Sequence, residues 1–434
     1  MNATVTQPQT GPFLPEITTK SNKRRKSTQY SRMKQEKESL RTGSSQIISK
    51  GEISQFRNSP KQNICVELLR EGYHRSFSEL FFLLGADRDR RAAAEPGSNL
   101  RLQTPLDQQL DKLETMKRHL SRAEEAERTG SWMVVCDQRL LLGWYFSAPK
   151  DLWLSLHFYH SCTDREQGSH SRPATEARVC MAEAYLKLGE LEQARQQAEL
   201  CVKQAEDSSW VDSDGRPLRL RAREALWRIY SRLADAPLEA ADYDQALKLL
   251  YKGYNMATES EDKQIEWEGA YRLGLTYQSA GDNDTAKQFF TTCMEISGTL
   301  QDADKLGKSY KAMAKSIESE GNIQDTLECL EKLADISRCN GLQHNLVDAF
   351  LCLGNIYHTT SQYTRACEYF LQGYEVACEL GDVALLQKAQ VLAANARAHS
   401  LIWKFSADVE SASPAALRRL IAWKESGRHQ GLYR

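Results

Sequence analysis

Residues 273–290 read LGLTYQSAGDNDTAKQFF, and this stretch decides the fold because it returns after forty residues and again after forty more. The second copy, MAKSIESEGNIQDTLECL, occupies residues 313–330, and the third, LGNIYHTTSQYTRACEYF, occupies 353–370. Leu273, Gly274, Tyr277, Ala286 and Phe290 thereby align with Leu353, Gly354, Tyr357, Ala366 and Phe370, with Met313, Ala314, Ile317, Thr326 and Leu330 between them. Gly281-Asp282, Gly321-Asn322 and Ser361-Gln362 mark a turn between two helical periods. A period of this length is the signature of a stacked array in which each unit buries its apolar face against its neighbours. The expected fold is an all-α, right-handed superhelical solenoid of helix-turn-helix repeats. Small residues at 274, 314 and 354 let the two helices of a unit approach, and Ala286 and Ala366 do the same from the second helix. The aromatic rings fill the remaining space, each stabilising the array by roughly 1.5–3 kcal/mol on burial. They are expected to be core rather than a ligand cage.

Working outward, Met181-Ala182, Tyr185, Gly189, Ala194 and Ala198 give an earlier unit, and a helix at 218–236 with Tyr243, Ala246 and Leu250 gives the next. The residue opening each second helix falls at 194, 246, 286, 326 and 366, so one step is 52 residues and the others are 40. The surplus is assigned to loop insertions at Asp212–Gly215 and Ala236-Pro237. Segments near 107–128, 132–146 and 150–162 read as less regular helices. Towards the N-terminus, Ile64, Cys65, Leu68, Leu69, Tyr73, Phe77, Leu80 and Phe81 predict one helix, starting at Ser59-Pro60 and stopping at Gly85. Beyond a helix near 384–400, short helices at 403–408 and 414–425 are expected to cap the array. The organisation is therefore a disordered basic arm (1–57), a docking helix and linker (58–104), an irregular helical start of the solenoid (105–170), the repeats (171–402), and capping helices with a tail (403–434).

Composition agrees. The 434 residues are 41% apolar and 26% charged with only 11 prolines, which favours helix, and the formal net charge is −1. That balance argues against bulk binding of nucleic acid or membranes. Residues 1–50 carry ten Lys/Arg against three Glu, a local +7. Lys23-Arg24-Arg25-Lys26 reads as a solvated tail, a nuclear signal or a weak contact with an acidic surface such as tubulin. No stretch approaches the ~20 apolar residues of a membrane span, and the first thirty residues lack the apolar core of a secretory signal. The 11 cysteines form no C-x-x-C pair and are expected to be free thiols of a soluble intracellular protein.

The search for chemistry returns little. Neither G-x-x-x-x-G-K-[ST] nor G-x-G-x-x-G occurs, so no nucleotide cofactor is expected. His157, His160 and Cys162 are the densest metal-capable group but lack the fourth ligand of a structural site. No hydrolase motif surrounds a nucleophile, and the chain is expected to be non-enzymatic. Lys308, Lys311 and Lys315 share one side of a first helix at i, i+3 and i+7. They are the candidate contact for acidic side chains of a partner, the alternative being a solvated cationic face.

Leu-Gly-x-x-Tyr, then Ala, then Phe, at 273–290 and 353–370, resembles the tetratricopeptide repeat. The forty-residue step exceeds the ~34 of the common form and is similar to the extended subclass of cell-polarity adaptors. The Lys-then-Asn carboxylate clamp of chaperone-binding repeats is missing: Tyr271 and Leu275, Lys311 and Lys315, and Leu351 and Asn355 stand at those positions. Asn58–Leu84 (NSPKQNICVELLREGYHRSFSELFFLL), Leu120–Arg128 (LSRAEEAER) and Trp423–Ser426 (WKES) lie outside the repeat pattern. These segments resemble an axonemal branch of the family found in motile cilia and sperm flagella. The resemblance implies a scaffold of the cytoskeleton that binds axonemal proteins, dynein-arm components among them. A cytosolic polarity or trafficking adaptor binding linear peptides is the other implied class.

Overall fold

The computed structural model describes residues 59–165, 170–206, 209–411 and 413–426; the basic arm lies outside the described residues. The chain divides after Glu114 into two compact units.

The first unit begins with a capping box. Ser59 Oγ accepts from the Gln62 N–H at 3.3 Å, while the Gln62 side chain accepts from the Ser59 N–H at 2.9 Å, opening α1 (Pro60–Arg70). The chain breaks at Gly72, whose φ of 83° suits only glycine well. The Tyr73 N–H donates back to the Leu68 carbonyl at 2.8 Å, which closes the helix end. Next, α2 (His74–Ala93) runs straight through Gly85, where the sequence suggested a stop. An interior glycine costs a helix only about 1 kcal/mol, and burial of Leu80, Leu83 and Leu84 outweighs it. The following segment is not a free linker. It contains the short α3 (Asn99–Leu102), and the Arg91 guanidinium donates to the carbonyls of Leu100, Gln103 and Thr104 at 3.2, 2.6 and 2.7 Å. Asp87 completes the clasp, accepting from Arg91 at 2.9 Å and from the Leu106 N–H at 3.0 Å.

The division falls within α4 (Leu110–Arg128). Paired helices follow: α5 (Trp132–Tyr145) with α6 (Leu152–Asp164), and α7 (Arg172–Leu188) with α8 (Leu191–Ala205). Then come α9 (Leu218–Leu233), the single-turn α10 (Asp235–Glu239) and α11 (Tyr243–Glu259). The regular part is α12 (Lys263–Ala280), α13 (Asn283–Leu300), α14 (Ala303–Ser319), α15 (Ile323–Cys339), α16 (Gln343–Thr359) and α17 (Tyr363–Leu380). From Tyr243 to Val383 a helix starts every twenty residues. Six of these starts are N-capped by Asp242, Asp262, Asp282, Asp302, Asn322 and Asp382, whose side chains accept N–H bonds of the first turn. The result is the expected all-α repeat solenoid.

One contact recurs in this solenoid. A β-carbon added to Gly274 would lie 2.6 Å from the Phe290 ring, and one added to Gly354 would lie 2.5 Å from Phe370. The same sixteen-residue spacing joins Ala314 to Leu330, Ala234 to Leu250 and Ala182 to Ala198, all buried. It also joins Gly143 to Tyr159, where an added β-carbon would sit 2.1 Å from the ring. Ser155 takes the place of the helix-opening alanine there and donates its hydroxyl to the Gly143 carbonyl at 2.7 Å. The helix pair α5–α6 is thus built as a repeat, within a stretch read from the sequence as irregular.

Two further readings are corrected. Ala236-Pro237 is not an insertion, because Ala234 and Leu250 keep the sixteen-residue spacing. Proline lacks an N–H and clashes with the carbonyl one turn back, so Pro237 divides a first helix into α9 and α10. The extra twelve residues instead precede α9, in a loop held by Asp212, whose Oδ1 accepts from the N–H groups of Asp214 and Arg216 at 3.0 and 2.9 Å. At the C-terminal end, α18 (Val383–Glu410) is one 28-residue helix. Leu401-Ile402 stand where earlier units turn, and neither residue breaks a helix, so the expected break at 402/403 is absent. Finally, α19 (Pro414–Ser426) packs on the far end of α18 through Asp408–Arg419 and a Phe405–Trp423 ring contact of 5.2 Å.

Candidate functional site

Aromatic repeat residues set the frame. Leu273, Phe290, Leu353 and Phe370 are buried, as are Gly274 and Gly354, with Ala286 and Ala366 beside the rings. Tyr357 stacks on Tyr369 at 5.3 Å, and Tyr277 stacks on Phe289 at 5.8 Å with its hydroxyl 2.9 Å from that of Tyr251. These contacts lock the first helix of a unit to its own second helix and, through Tyr251, to the second helix of the unit before.

On that frame α12, α14 and α16 open a groove of about 460 Å³. Trp267, Tyr271 and Leu275 line it from α12, Lys308, Lys311 and Lys315 from α14, and Asn345 and Asp348 from α16. The three lysines predicted from the sequence are therefore brought together on one wall. Trp267 and Tyr271 form the facing wall, stacked at 4.8 Å and 11°. Gln278 crosses from α12 to α14, donating to the Ala312 carbonyl at 3.0 Å and to Ser316 Oγ at 2.7 Å.

The lysines are not equivalent. Lys308 pairs with Asp304 at 2.7 Å, and Lys311 pairs with Asp348 across the unit boundary. Burial pulls the Lys311 ammonium down, and the Asp348 carboxylate more than offsets it, leaving its pKa raised. Asp304 also accepts from Asn345 at 2.8 Å; its bonds to Lys308 and Asn345 hold its pKa low. Lys315 is exposed and makes no ion pair among the described residues. A stacked aromatic wall facing ammonium groups and amides can hold an extended peptide through apolar contact, hydrogen bonds and attraction for a carboxylate. Burial raises the Tyr271 hydroxyl pKa, against the lowering by Lys311 and Lys308.

The metal-capable trio does not assemble. His160 Nε2 lies 2.6 Å from the Tyr185 hydroxyl, while the buried Cys162 thiol donates to the Cys136 carbonyl at 3.3 Å. Among the described residues no group of three or more His, Cys, Asp or Glu side chains is arranged to hold a metal ion. No described helix is long and apolar enough to cross a membrane.

A second cleft, of about 370 Å³, escaped the sequence reading. Its polar centre is Arg221, bonded to Glu183 at 2.9 Å and lying 3.4 Å from Asp212 and 3.9 Å from Glu176. Burial raises the Glu176 carboxyl pKa, against the lowering by its bonds from Ser213. Glu176 and Glu183 lie about forty residues before Arg221 in sequence, and no local motif joins them to it.

Comparison with known proteins places this geometry in a lineage. The pattern of the tetratricopeptide repeat family matches residues 268–299. The chain is 37% identical over 382 residues to Tetratricopeptide repeat protein 29 of Macaca fascicularis and likewise of Homo sapiens, covering 87% of this chain and 80% of theirs. It is 23% identical over 343 residues to the protein of that name from Trypanosoma brucei brucei, covering 77% of this chain and 67% of that one. Among solved structures, the STAND protein PH0952 of Pyrococcus horikoshii, which has a tetratricopeptide repeat sensor, aligns with 68% of this chain and 47% of its own at 14% identity and a TM-score of 0.41.

Proposed function

The chain belongs to the tetratricopeptide repeat protein 29 family, and from that premise we propose that it is a non-enzymatic adaptor of the axoneme in motile cilia and sperm flagella. It would hold dynein-associated or structural subunits by presenting a stack of helix pairs to them. The observation that carries the reading is the kinship over most of the chain, including segments outside the repeat pattern. The groove supports it: stacked rings, three ammonium groups and two amides on one rigid frame suit a peptide of a protein partner. The binding mode is many modest contacts, with Lys315 attracting a partner carboxylate. The basic arm at residues 1–57 would add a weak contact with the acidic surface of tubulin.

Detergent and salt extraction of motile cilia tests this reading, with the chain followed by mass spectrometry. It should remain with the detergent-insoluble axoneme and leave with dynein arms at high salt. Release with the soluble matrix would contradict it and favour the polarity or trafficking adaptor.

A further inference from the structure

Helix α18 holds the register of a first helix but is not followed by a second one. Ala394 stands forty residues after Gly354, at the position against which Phe370 packs in the preceding unit. At this slot the six earlier units carry Gly143, Ala182, Ala234, Gly274, Ala314 and Gly354, all buried. Ala394 is exposed, and Val391, one turn earlier, is 67% exposed although its counterpart Leu351 is 2% exposed. Meanwhile Ala389, Ala393 and Ala396 are buried on the face turned to α17. Thus one face of α18 completes the array, while the face that ordinarily receives a second helix stays open. Packing of α19 on residues 405–408 covers the far end of that face and leaves it open from Val391 to Ile402.

The open face is apolar along its length. Val391, Ala394, Ala398 and Ile402 follow one another at helical spacing, about 17 Å from end to end, and all four are exposed; Phe405 continues the row and meets Trp423 of α19. Trp403 beside them is 76% exposed. A contiguous apolar surface of this kind marks an interaction site. Its charge has one sign: between Asp382 and Asp408 the helix carries Lys388, Arg397 and Lys404 and no carboxylate. Among the described residues none of the three makes an ion pair.

We propose that this face captures an amphipathic helix of a partner protein, flanked by acidic residues, which takes the place of the missing second helix. The interface inside the array continues directly into this face, which fixes what fits: a helix with a small residue and, four positions on, a large apolar one, as in Ala366 and Phe370. Charge selects the occupant. The first fifty residues of the chain, net +7, have the wrong sign, and a second copy would set its own basic face against this one. The site is separate from the groove of α12, α14 and α16.

The test uses the full-length chain and, as probe, a fluorescein-labelled peptide of residues 363–380. That helix carries Glu368, Glu375 and Glu379 against Arg365. Anisotropy should report saturable binding that weakens with salt. Val391→Glu with Ala394→Glu should weaken it at least tenfold, and Lys388→Glu with Arg397→Glu at least fivefold, with circular dichroism unchanged because these side chains are exposed. Lys315→Glu should leave peptide binding unchanged, which separates this site from the groove. Equal binding by the Val391→Glu, Ala394→Glu chain, or no binding by the wild type, would overturn the proposal. So would a concentration-dependent dimer, seen by light scattering, that the same double substitution dissolves, because a second copy would then be the occupant.

Discussion

The unit α14–α15 differs from its neighbours α12–α13 and α16–α17 in what fills the same slots. The flanking units place Phe290 and Phe370 against glycines, whereas the middle one places Leu330 against Ala314. The middle unit also buries four hydroxyl residues, Ser309, Ser316, Thr326 and Ser337, compared with Thr276 and Ser297 in α12–α13 and none in α16–α17. The hydroxyls of Ser309, Thr326 and Ser337 bond carbonyls one turn back at 2.7–2.9 Å. It alone turns three lysines to the groove. Tightly interlocked units therefore hold a less apolar one between them, and the three lysines of the groove sit on that middle unit. In a stacked array this division is workable, because each unit is stabilised by its neighbours as well as by itself.

The largest effect should come from emptying the aromatic slots. Phe290→Ala or Phe370→Ala should cost about 3–5 kcal/mol, and Leu330→Ala nearer 2–3 kcal/mol, read as loss of amide-exchange protection in the affected unit. Equal losses in all three would break the distinction between the units. Next, Gly354→Ala should cost about 1–3 kcal/mol through overpacking against Phe370; a neutral result would show that the close approach is not tight. Removing a cap, as in Asp282→Ala, should cost about 1 kcal/mol, seen as faster exchange in the first turn of α13 and not in α17. Smallest in stability, Lys315→Glu should stay within about 0.5 kcal/mol of wild type. It is the cleaner probe of the groove, since reversing Lys308 or Lys311 would also set like charges against Asp304 or Asp348.

The parts of this structure legible in the sequence are those repeated locally. The glycine and aromatic slots of the regular units follow from the forty-residue step. A twenty-residue ladder of Asp and Asn at 242, 262, 282, 302 and 322 would have fixed each helix start as well. What was hidden depended on context. Gly85 carries a helix-breaking residue inside a helix that tertiary burial sustains. Pro237 looks like a loop residue yet only divides a helix. Gly143 and Tyr159 have the repeat spacing, but the apolar run Leu140-Leu141-Leu142 obscures the period. For the groove, the stripe of three lysines and the equivalent positions Tyr271 and Leu275 were visible, but the stacking of Trp267 on Tyr271 and the cross-unit partner Asp348 were not, because they depend on how neighbouring units pack. The Arg221 cluster is dispersed in the same way.

The most direct test of the account is retention of the Lys315→Glu chain in detergent-extracted axonemes, measured against wild type expressed in the same ciliated cells. If the groove holds an axonemal partner, the variant should fold normally and be retained several-fold less. Equal retention of the two chains would contradict the claim that the middle unit holds the partner.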